Sequence, residues 1–294
     1  MPAKTIQIYR LDDSEPDFSR LFRLWRDYQE FEGELEFDFS LCPFLGQGAV
    51  AFLGGFARQL EARGCAVRFL VPTLRQPVRA NLAQNGFLRS FGHAEQPWDG
   101  NSIPYRQDAE QDPRGFANYL EQMWLGKNWV RVSDALRNAI VSRLSEAYLN
   151  VFDHAKSGVG ICSCGQHFPT KHELKLTLVD FGVGIPSNVR LFFLEQHGIA
   201  PETLPAAACM EWAFQKGSST RPGGRGLGLD LLRSFVEVND GQMEIFSHDG
   251  HAKVTKQGVE FRTLPVYFEG TLVNILLRCD ETHYCLASER EHPF

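Results

Sequence analysis

Residues 174–186 read LKLTLVDFGVGIP, a mostly apolar run that leads directly into an acidic residue and two glycines. The run predicts a strand over residues 174–179 that ends at Asp180 and is followed by a turn. A carboxylate at the end of a strand can accept a hydrogen bond from an exocyclic amine such as that of adenine. Gly182 and Gly184 would let the backbone approach a flat base closely. Taken alone the motif has moderate specificity, because junctions between strands and turns use Asp and Gly anyway.

A long helix is predicted upstream, beginning at Ser133 with Asp134 beside it as N-terminal capping chemistry. Its apolar positions are spaced four, four, three and four residues apart: Leu136, Ile140, Leu144, Ala147 and Val151. A polar stripe lies about 100° away by helical geometry and comprises Glu146, Asn150 and His154, with Asp153 beside them. Such groups suit a Mg²⁺–triphosphate, because Mg²⁺ prefers oxygen ligands and keeps several waters. The alternative for this stripe is an ordinary solvated helix face.

A third motif, GGRGLGL at residues 223–229, runs straight into a helix predicted over residues 227–238. Glycines before a helix N-terminus present free N–H groups and the positive end of the helix dipole to phosphate. A Rossmann dinucleotide-binding loop is the rival interpretation. That loop follows a strand directly, whereas a long polar segment precedes the glycines in this sequence.

In this order, the segments SEAYLNVFDHA, VDFGVGIP and GGRGLGLDLL resemble the N, G1 and G2 boxes of the gyrase, chaperone, histidine-kinase and MutL (GHKL) family. Gly270-Thr271 resembles the short G3 element of the same family. The resemblance covers residues 133–280, about half of the chain. It implies an ATP-binding α/β sandwich in which helices cover one face of a mixed sheet.

The resemblance also implies roles for individual residues. Asn150 would bind Mg²⁺, and Asp180 would bind the adenine amine with Thr271 nearby through a water. Glu146 corresponds to the general base of the ATPase branch, and in kinase branches the same position helps to arrange the metal and the acceptor. The residues that would border the base are Gly182, Gly184 and Ile185.

The phosphate side of the implied site falls on the G2 box and on a lid over residues 187–221. The residues that would wrap the phosphates are Gly224, Gly226 and Gly228, with Leu227 and Leu229 between and after them. The candidate phosphate-binding side chains are Lys216, Thr220, Arg221 and Arg225. The alternative for the three cations is that they are solvated lid charges.

The N-terminal part of the chain predicts the order β-α-β-α-β-α. The predicted strands are residues 5–9, 35–40 and 66–71, and the predicted helices are residues 18–31, capped by Asp17, 49–63 and 78–87. Residues 36–72 with 79–87 resemble a STAS domain, the fold of anti-sigma-factor antagonists. In those proteins the loop before the second helix carries a phosphorylatable Ser. Here that loop reads FLGQG, without a hydroxyl, so the resemblance implies a binding or dimerisation platform.

The segment between these parts is polar, rich in Pro, Asp and Gln, and has neither helical nor strand period, which predicts a connector. The predicted division is therefore a STAS-like α/β domain at residues 1–92, a connector at 93–115 and the GHKL domain at 116–294. Further elements of the last domain are a helix at residues 116–125, strands at 159–165, 242–247, 251–255 and 271–278, and an irregular, partly helical region at 186–223.

Composition argues against several classes of protein. The net charge of −6 gives no basic excess for a nucleic-acid partner, and no apolar run reaches the roughly 20 residues of a membrane helix. The N-terminus lacks the apolar segment of a secretory signal, and the seven cysteines are scattered. We therefore expect a cytoplasmic protein. Zinc binding by Cys162 and Cys164 with His167 and His172 is an alternative to buried thiols, which are favoured.

Only 14 residues follow Asp280, so we do not expect the further domain whose lysine reaches the γ-phosphate in gyrase-type members. His93 lacks the long helices of a sensor-kinase hairpin. The N box most resembles that of anti-sigma-factor serine kinases and related ATPases. The expectation is an Mg²⁺–ATP-binding signalling protein that hydrolyses ATP or phosphorylates a protein partner held by the STAS-like domain, with a homodimer possible. The alternative is a non-catalytic, nucleotide-gated interaction switch.

Overall fold

The computed structural model of the chain describes residues 3–155, 157–215 and 229–290, without the side chains of His154, Leu229, Asp230 and Arg290. The fold of these residues is mixed α+β. The helices are α1 Glu15–Tyr28, α2 Gln47–Ala62, α3 Gln76–Gln84, α4 Phe87–Ser90, α5 Pro113–Tyr119, α6 Asp134–Asn150, α7 Gly184–His197, α8 Ala206–Ala213, α9 Leu229–Val238 and α10 Ala287–Arg290. The strands are β1 Lys4–Gln7, β2 Glu34–Asp38, β3 Ala66–Phe69, β4 Ser102–Asp108, β5 Arg131–Val132, β6 Ile161–Phe168, β7 Glu173–Asp180, β8 Gln242–Thr255, β9 Gly258–Arg278 and β10 His283–Tyr284.

The N-terminal elements follow the predicted order. Strands β1, β2 and β3 form a parallel sheet in sequence order, joined through α1 and α2. The last predicted helix is divided into α3 and α4 at Gly86, which has a positive φ of 79°. Helix α1 begins after Ser14, and Asp17 occupies the third helical position, where its carboxylate accepts from the Ser14 amide at 3.2 Å. Asp17 is therefore the reciprocal member of a capping box and not the N-cap residue that the sequence predicted.

A five-stranded sheet has the order β4-β6-β7-β9-β8, and every neighbouring pair is antiparallel. The prediction of a mixed sheet is therefore wrong. The connector prediction is also wrong in part, because Ser102–Asp108 forms the edge strand β4 and α5 begins at Pro113. Pro104 obscured this strand in the sequence, since Pro is tolerated at a sheet edge but not in a central strand.

Helices cover both faces of this sheet. On one face, Leu176 of β7 and Ile245 of β8 share a buried cluster with Ile140 of α6 and Val236 of α9. On the other face, Phe246 and Phe268 pack against the N-terminal helices α1 and α2. The prediction of helices on one face is therefore wrong for the complete sheet, because the N-terminal elements bury the second face.

Helix α2 lies between the two sheets and is buried on almost all sides, from Gln47 through Ala57. This position explains its apolar run, since a helix that is hydrophobic all round must be buried all round. A Cβ added to Gly54 would overlap the Tyr105 ring, and one added to Gly55 would overlap the Phe181 ring. The glycine pair therefore lets α2 approach the five-stranded sheet closely.

Helix α6 begins as predicted. The Ser133 hydroxyl is its N-cap and accepts from the Leu136 amide at 3.1 Å. Tyr148 is fully buried whereas Ala147 is only half-buried, so the buried stripe differs from the predicted one by one residue. A π-helical turn, Val151–Ala155, continues the helix.

Within the described part of the chain, none of the helices has both the length and the apolar character needed to cross a membrane.

Candidate functional site

Asp180 is the last residue of β7, and its carboxylate is buried, with 3% of the residue exposed. Its Oδ1 accepts from the Gly182 amide at 2.9 Å. Thr271 is its register partner on β9. Burial raises the pKa of Asp180 to about 7, against the opposing effect of hydrogen bonds from Gly182 and Thr271. No ion pair to Asp180 occurs within the described residues, so nothing there neutralises its charge.

Ser247 connects the loop after β7 to the neighbouring strands, and sequence reasoning missed it. Its hydroxyl donates to the Gly270 carbonyl at 2.9 Å and accepts from the Ile185 amide at 3.0 Å. The same oxygen lies 3.4 Å from Oγ1 of Thr271. Its only signal in the sequence is a hydroxyl at the end of a predicted strand, which does not reveal the strand register that brings it here.

The structure explains the glycines at positions 182 and 184 by packing within the protein and not by the predicted contact with a base. A Cβ on Gly182 would overlap the Ala155 carbonyl oxygen, and one on Gly184 would overlap the Glu269 carbonyl oxygen. Gly184 also has a positive φ of 74°. Because neither glycine has a side chain, the loop can pack closely against the rest of the protein. From the sequence, the close approach was expected between the loop and a flat base.

The polar stripe of α6 is present only in part. The Glu146 carboxylate accepts from the Arg143 guanidinium at 3.1 Å, and its side chain is 29% exposed. Asn150 is half-buried at the last position of α6, and Asp153 is exposed on the π turn. A π turn has a different residue spacing from an α-helix, so the predicted line at i, i+4 and i+8 holds only as far as Asn150. The side chain of His154 lies outside the described residues.

The end of this helix contacts the loop after β7. The Val183 amide donates to the Ala155 carbonyl at 2.7 Å. Helix α9, which begins at Leu229, packs beside α6. The structure thus brings together the predicted N box, the predicted G1 box and Thr271. Other predicted phosphate-binding residues lie outside the described residues: Lys216, Thr220, Arg221, Gly224, Arg225, Gly226, Leu227 and Gly228.

His248 contacts both the loop before the predicted lid and helix α7. Its Nε2 lies 2.9 Å from the Val183 carbonyl, and its Nδ1 lies 3.3 Å from a guanidinium nitrogen of Arg190 on α7. Since the carbonyl can only accept and the guanidinium can only donate, Nε2 carries the proton and Nδ1 is the acceptor. Burial and the charge of Arg190 lower the pKa of His248, which favours this neutral form. The described part of the segment predicted to form a lid, residues 187–215, contains most of α7, a 3-10 turn at Pro201–Thr203, and α8.

The N-terminal elements reach this site through Phe181, the residue after Asp180. The Phe181 ring lies 5.3 Å from the ring of Phe52 on α2 and 5.5 Å from that of Phe268. Gly55 of α2 lies directly against the same ring. Sequence reasoning did not connect these residues, although the Gly54-Gly55 pair in an apolar helix is a signal of close packing.

The described residues contain no group of three or more His, Cys, Asp or Glu side chains that could hold a metal ion. Cys162 and Cys164 are buried in the core beneath α2, which raises the pKa of both thiols. His167 stacks on Trp129 with a centroid distance of 4.5 Å. These positions support the preference for buried thiols over a zinc site.

No family model matches this chain, and no curated protein matches it significantly.

Proposed function

We propose that residues 133–280 bind Mg²⁺–ATP, with the adenine amine on the Asp180 carboxylate. The observation that carries the proposal is a buried carboxyl group that has no cation beside it within the described residues. Such a group costs folding free energy unless donors surround it. An exocyclic amine is a donor of the right kind, and it would complete the set begun by Gly182 and Thr271.

The surrounding residues suit an ATP-like ligand. Thr271 is paired with Asp180 across the strands, and its hydroxyl, 3.4 Å from that of Ser247, offers a further hydrogen-bonding group for the edge of a base. Asn150 lies on the helix whose end contacts the loop after Asp180, and its amide oxygen would be one Mg²⁺ ligand. The metal would take its other ligands from the triphosphate and from water, as Mg²⁺ commonly does. When bound, the nucleotide supplies a γ-phosphate for transfer or hydrolysis.

Glu146 decides what happens to that phosphate. As a general base it would have to accept a proton from water or from an acceptor hydroxyl. Its carboxylate is engaged by Arg143 at 3.1 Å and would have to leave this partner first. This contact favours the second candidate function, in which nucleotide binding alone changes the affinity for a protein partner.

The setting we propose is cytoplasmic signalling, with the STAS-like N-terminal part as the platform for a protein partner or a second copy of the chain. Five of the cysteines are buried free thiols, which supports a reducing compartment: Cys42, Cys65, Cys162, Cys164 and Cys209. The contact between α2 and Phe181 gives a partner on the N-terminal part a direct physical route to the Asp180 loop.

Two measurements test the proposal. Calorimetric titration with Mg²⁺–ATP should give saturable binding that Asp180→Asn weakens at least tenfold; equal affinity in both proteins would refute the assignment of Asp180. Release or transfer of labelled γ-phosphate should then be compared in Glu146→Gln and Arg143→Ala. Turnover that Glu146→Gln abolishes and Arg143→Ala retains supports catalysis, whereas binding without turnover supports the switch.

A further inference from the structure

A second candidate site lies where the N-terminal elements meet the five-stranded sheet. It is a cavity of about 360 Å³ bordered by the loop at residues 43–45, helix α3, Trp98, Asn101 and Gln166. The loop follows β2 of the parallel sheet, and ligands of open α/β sheets bind outside the carboxyl ends of such strands. Pockets at the junction of two structural units are also common binding sites.

This cavity is separate from the Asp180 site. Gln166 pairs with Lys175 in the β6–β7 register, whereas Asp180 pairs with Ile161 near the other end of β6. Five residues of strand separate the two positions, which corresponds to about 17 Å along the sheet. A ligand in the cavity therefore does not share its contacts with a nucleotide at Asp180.

The lining chemistry is uncharged. Four side chains of the wall are carboxamides, two are aromatic, and none of the lining residues is acidic or basic. The six polar and aromatic residues are Asn81, Gln84, Asn101, Gln166, Phe44 and Trp98. An ionised ligand would find no counter-charge in this lining, and burying an unpaired charge is costly. The wall therefore selects for a neutral molecule.

Each carboxamide is hydrogen-bonded within the protein, Asn81 at both ends and the other three at one end. Nδ2 of Asn81 donates to Oε1 of Gln166 at 2.8 Å, and Oε1 of Gln84 accepts from the Ser102 hydroxyl at 2.7 Å. Nδ2 of Asn101 donates to the His167 carbonyl at 3.0 Å. The opposite ends, which are the amide nitrogens of Gln84 and Gln166 and Oδ1 of Asn101, find no partner in the described part of the chain. These groups are held in place in advance and offer both donors and an acceptor to a ligand.

The aromatic residues supply an apolar face. Trp98 is 50% exposed, which is unusual for so large an apolar ring, and it stands at the border of the cavity. Phe44 is half-buried in the wall formed by the loop after β2. A flat ring placed against Trp98 would cover its exposed face while its edge reached the carboxamides.

We propose that this cavity binds an uncharged ring compound with one apolar face and a hydrogen-bonding edge. A pyranose sugar and a nucleoside both have this chemistry. The cavity volume lies at the lower end of the range for small-molecule sites, roughly 300–1,000 Å³, which matches one sugar or one nucleoside.

Calorimetric titration of the full chain distinguishes between a sugar and a nucleoside as the ligand. One arm titrates glucose, galactose and N-acetylglucosamine, and the other titrates adenosine, guanosine, cytidine and uridine, each up to millimolar concentration. Glucose 6-phosphate and adenosine monophosphate serve as charged counterparts. The expected result is saturable binding in one arm, with weaker binding of the phosphorylated counterpart.

Variants assign that binding to the cavity. Trp98→Ala, at a half-exposed position, and Gln166→Ala should each weaken it about tenfold, as loss of roughly 1.4 kcal/mol predicts. Gln122→Ala, an exposed carboxamide outside the lining, is the matched control and should change nothing. Adenosine and its monophosphate carry the amine proposed to bind Asp180, so their titrations are repeated in Asp180→Asn, where saturable binding to the cavity should persist. Absence of saturable binding in both arms, survival of the affinity in Trp98→Ala, or preference for the phosphorylated compounds in the Asp180→Asn background would overturn the proposal.

Discussion

The backbone amide of Val183 donates a hydrogen bond of 2.7 Å to the carbonyl oxygen of Ala155. The last carbonyls of a helix lack partners within the helix, and this bond satisfies one of them from the loop after β7. It also joins the two sequence motifs that the resemblance assigns to Mg²⁺ and to adenine. Because the two segments are bonded, displacement of the loop would displace the end of the helix that carries Asn150.

Gly182→Ala should disrupt the contact between the loop after β7 and Ala155. The new Cβ would overlap the Ala155 carbonyl oxygen, which is backbone and cannot rotate away. We expect a loss of about 1–3 kcal/mol in the free energy of unfolding, typical of overpacking, together with weaker binding of Mg²⁺–ATP. Chemical denaturation and calorimetry measure the two effects.

Gly158→Ala is the matched control, because a Cβ at Gly158 would meet nothing within 4 Å. We expect its free energy of unfolding to stay within about 0.5 kcal/mol of the original. If the two alanine variants unfold alike, the tight packing at Gly182 is not real.

Gly55→Ala tests the contact between α2 and Phe181. Alanine gains up to about 1 kcal/mol over glycine in helix propensity, but here its Cβ would overlap the Phe181 ring. We expect net destabilisation of about 1–2 kcal/mol, because the clash outweighs the gain in propensity.

A double-mutant cycle gives the sharper result. Phe181→Leu makes room beside α2. Gly55→Ala should therefore lower the free energy of unfolding less in the Phe181→Leu background than in the original protein. Denaturation of the original protein, both single variants and the double variant measures the coupling. Strict additivity would show that Gly55 and Phe181 do not press on each other.

Asp180 should make stability depend on pH in a defined direction. Burial raises its folded-state pKa to about 7, whereas an unfolded Asp titrates near 3.8. Between these values the folded state binds more protons than the unfolded state, so stability falls as pH rises, by about 1.4 kcal/mol per pH unit at most. Without nucleotide, Asp180→Asn should lose this component and gain stability relative to the original protein as pH rises from 4 to 7.

The difference between the two unfolding curves isolates this group, since Asp13, buried with a pKa raised to about 6, is common to both proteins. Guanidinium titrations at several pH values provide the data. A constant difference between the proteins across this pH range would mean that Asp180 is not desolvated.

The sequence predicted those helices and strands that have a regular apolar period and capping residues close by in the chain. The N-terminal β-α-β-α-β-α order and the start of α6 after its N-cap Ser133 followed from such patterns. The strand before Asp180 followed from a short apolar run that ended at turn residues. Strand β4 was missed because Pro104 and polar residues interrupt its pattern, which only an edge position allows.

Other errors came from relationships that are not local. The first half of β9 alternates buried Leu264, Val266 and Phe268 with exposed residues, a signal present in the sequence that Pro265 concealed. The place of Ser247 beside Thr271 depends on strand register, which the sequence does not show. The burial of the second sheet face by α1 and α2 depends on how distant parts of the chain pack together.

The central claim is that Asp180 binds the amine of adenine, and selectivity between purines tests it most directly. Guanine has a carbonyl oxygen where adenine has this amine, and a carboxylate accepts from an amine but not from a carbonyl. Dissociation constants for Mg²⁺–ATP and Mg²⁺–GTP should be measured with the original protein and with Asp180→Asn. We expect ATP to bind at least tenfold more tightly than GTP and this preference to disappear in Asp180→Asn, whose amide can donate to the guanine carbonyl. Equal binding of both nucleotides by the original protein, or an undiminished preference in the variant, would contradict the account.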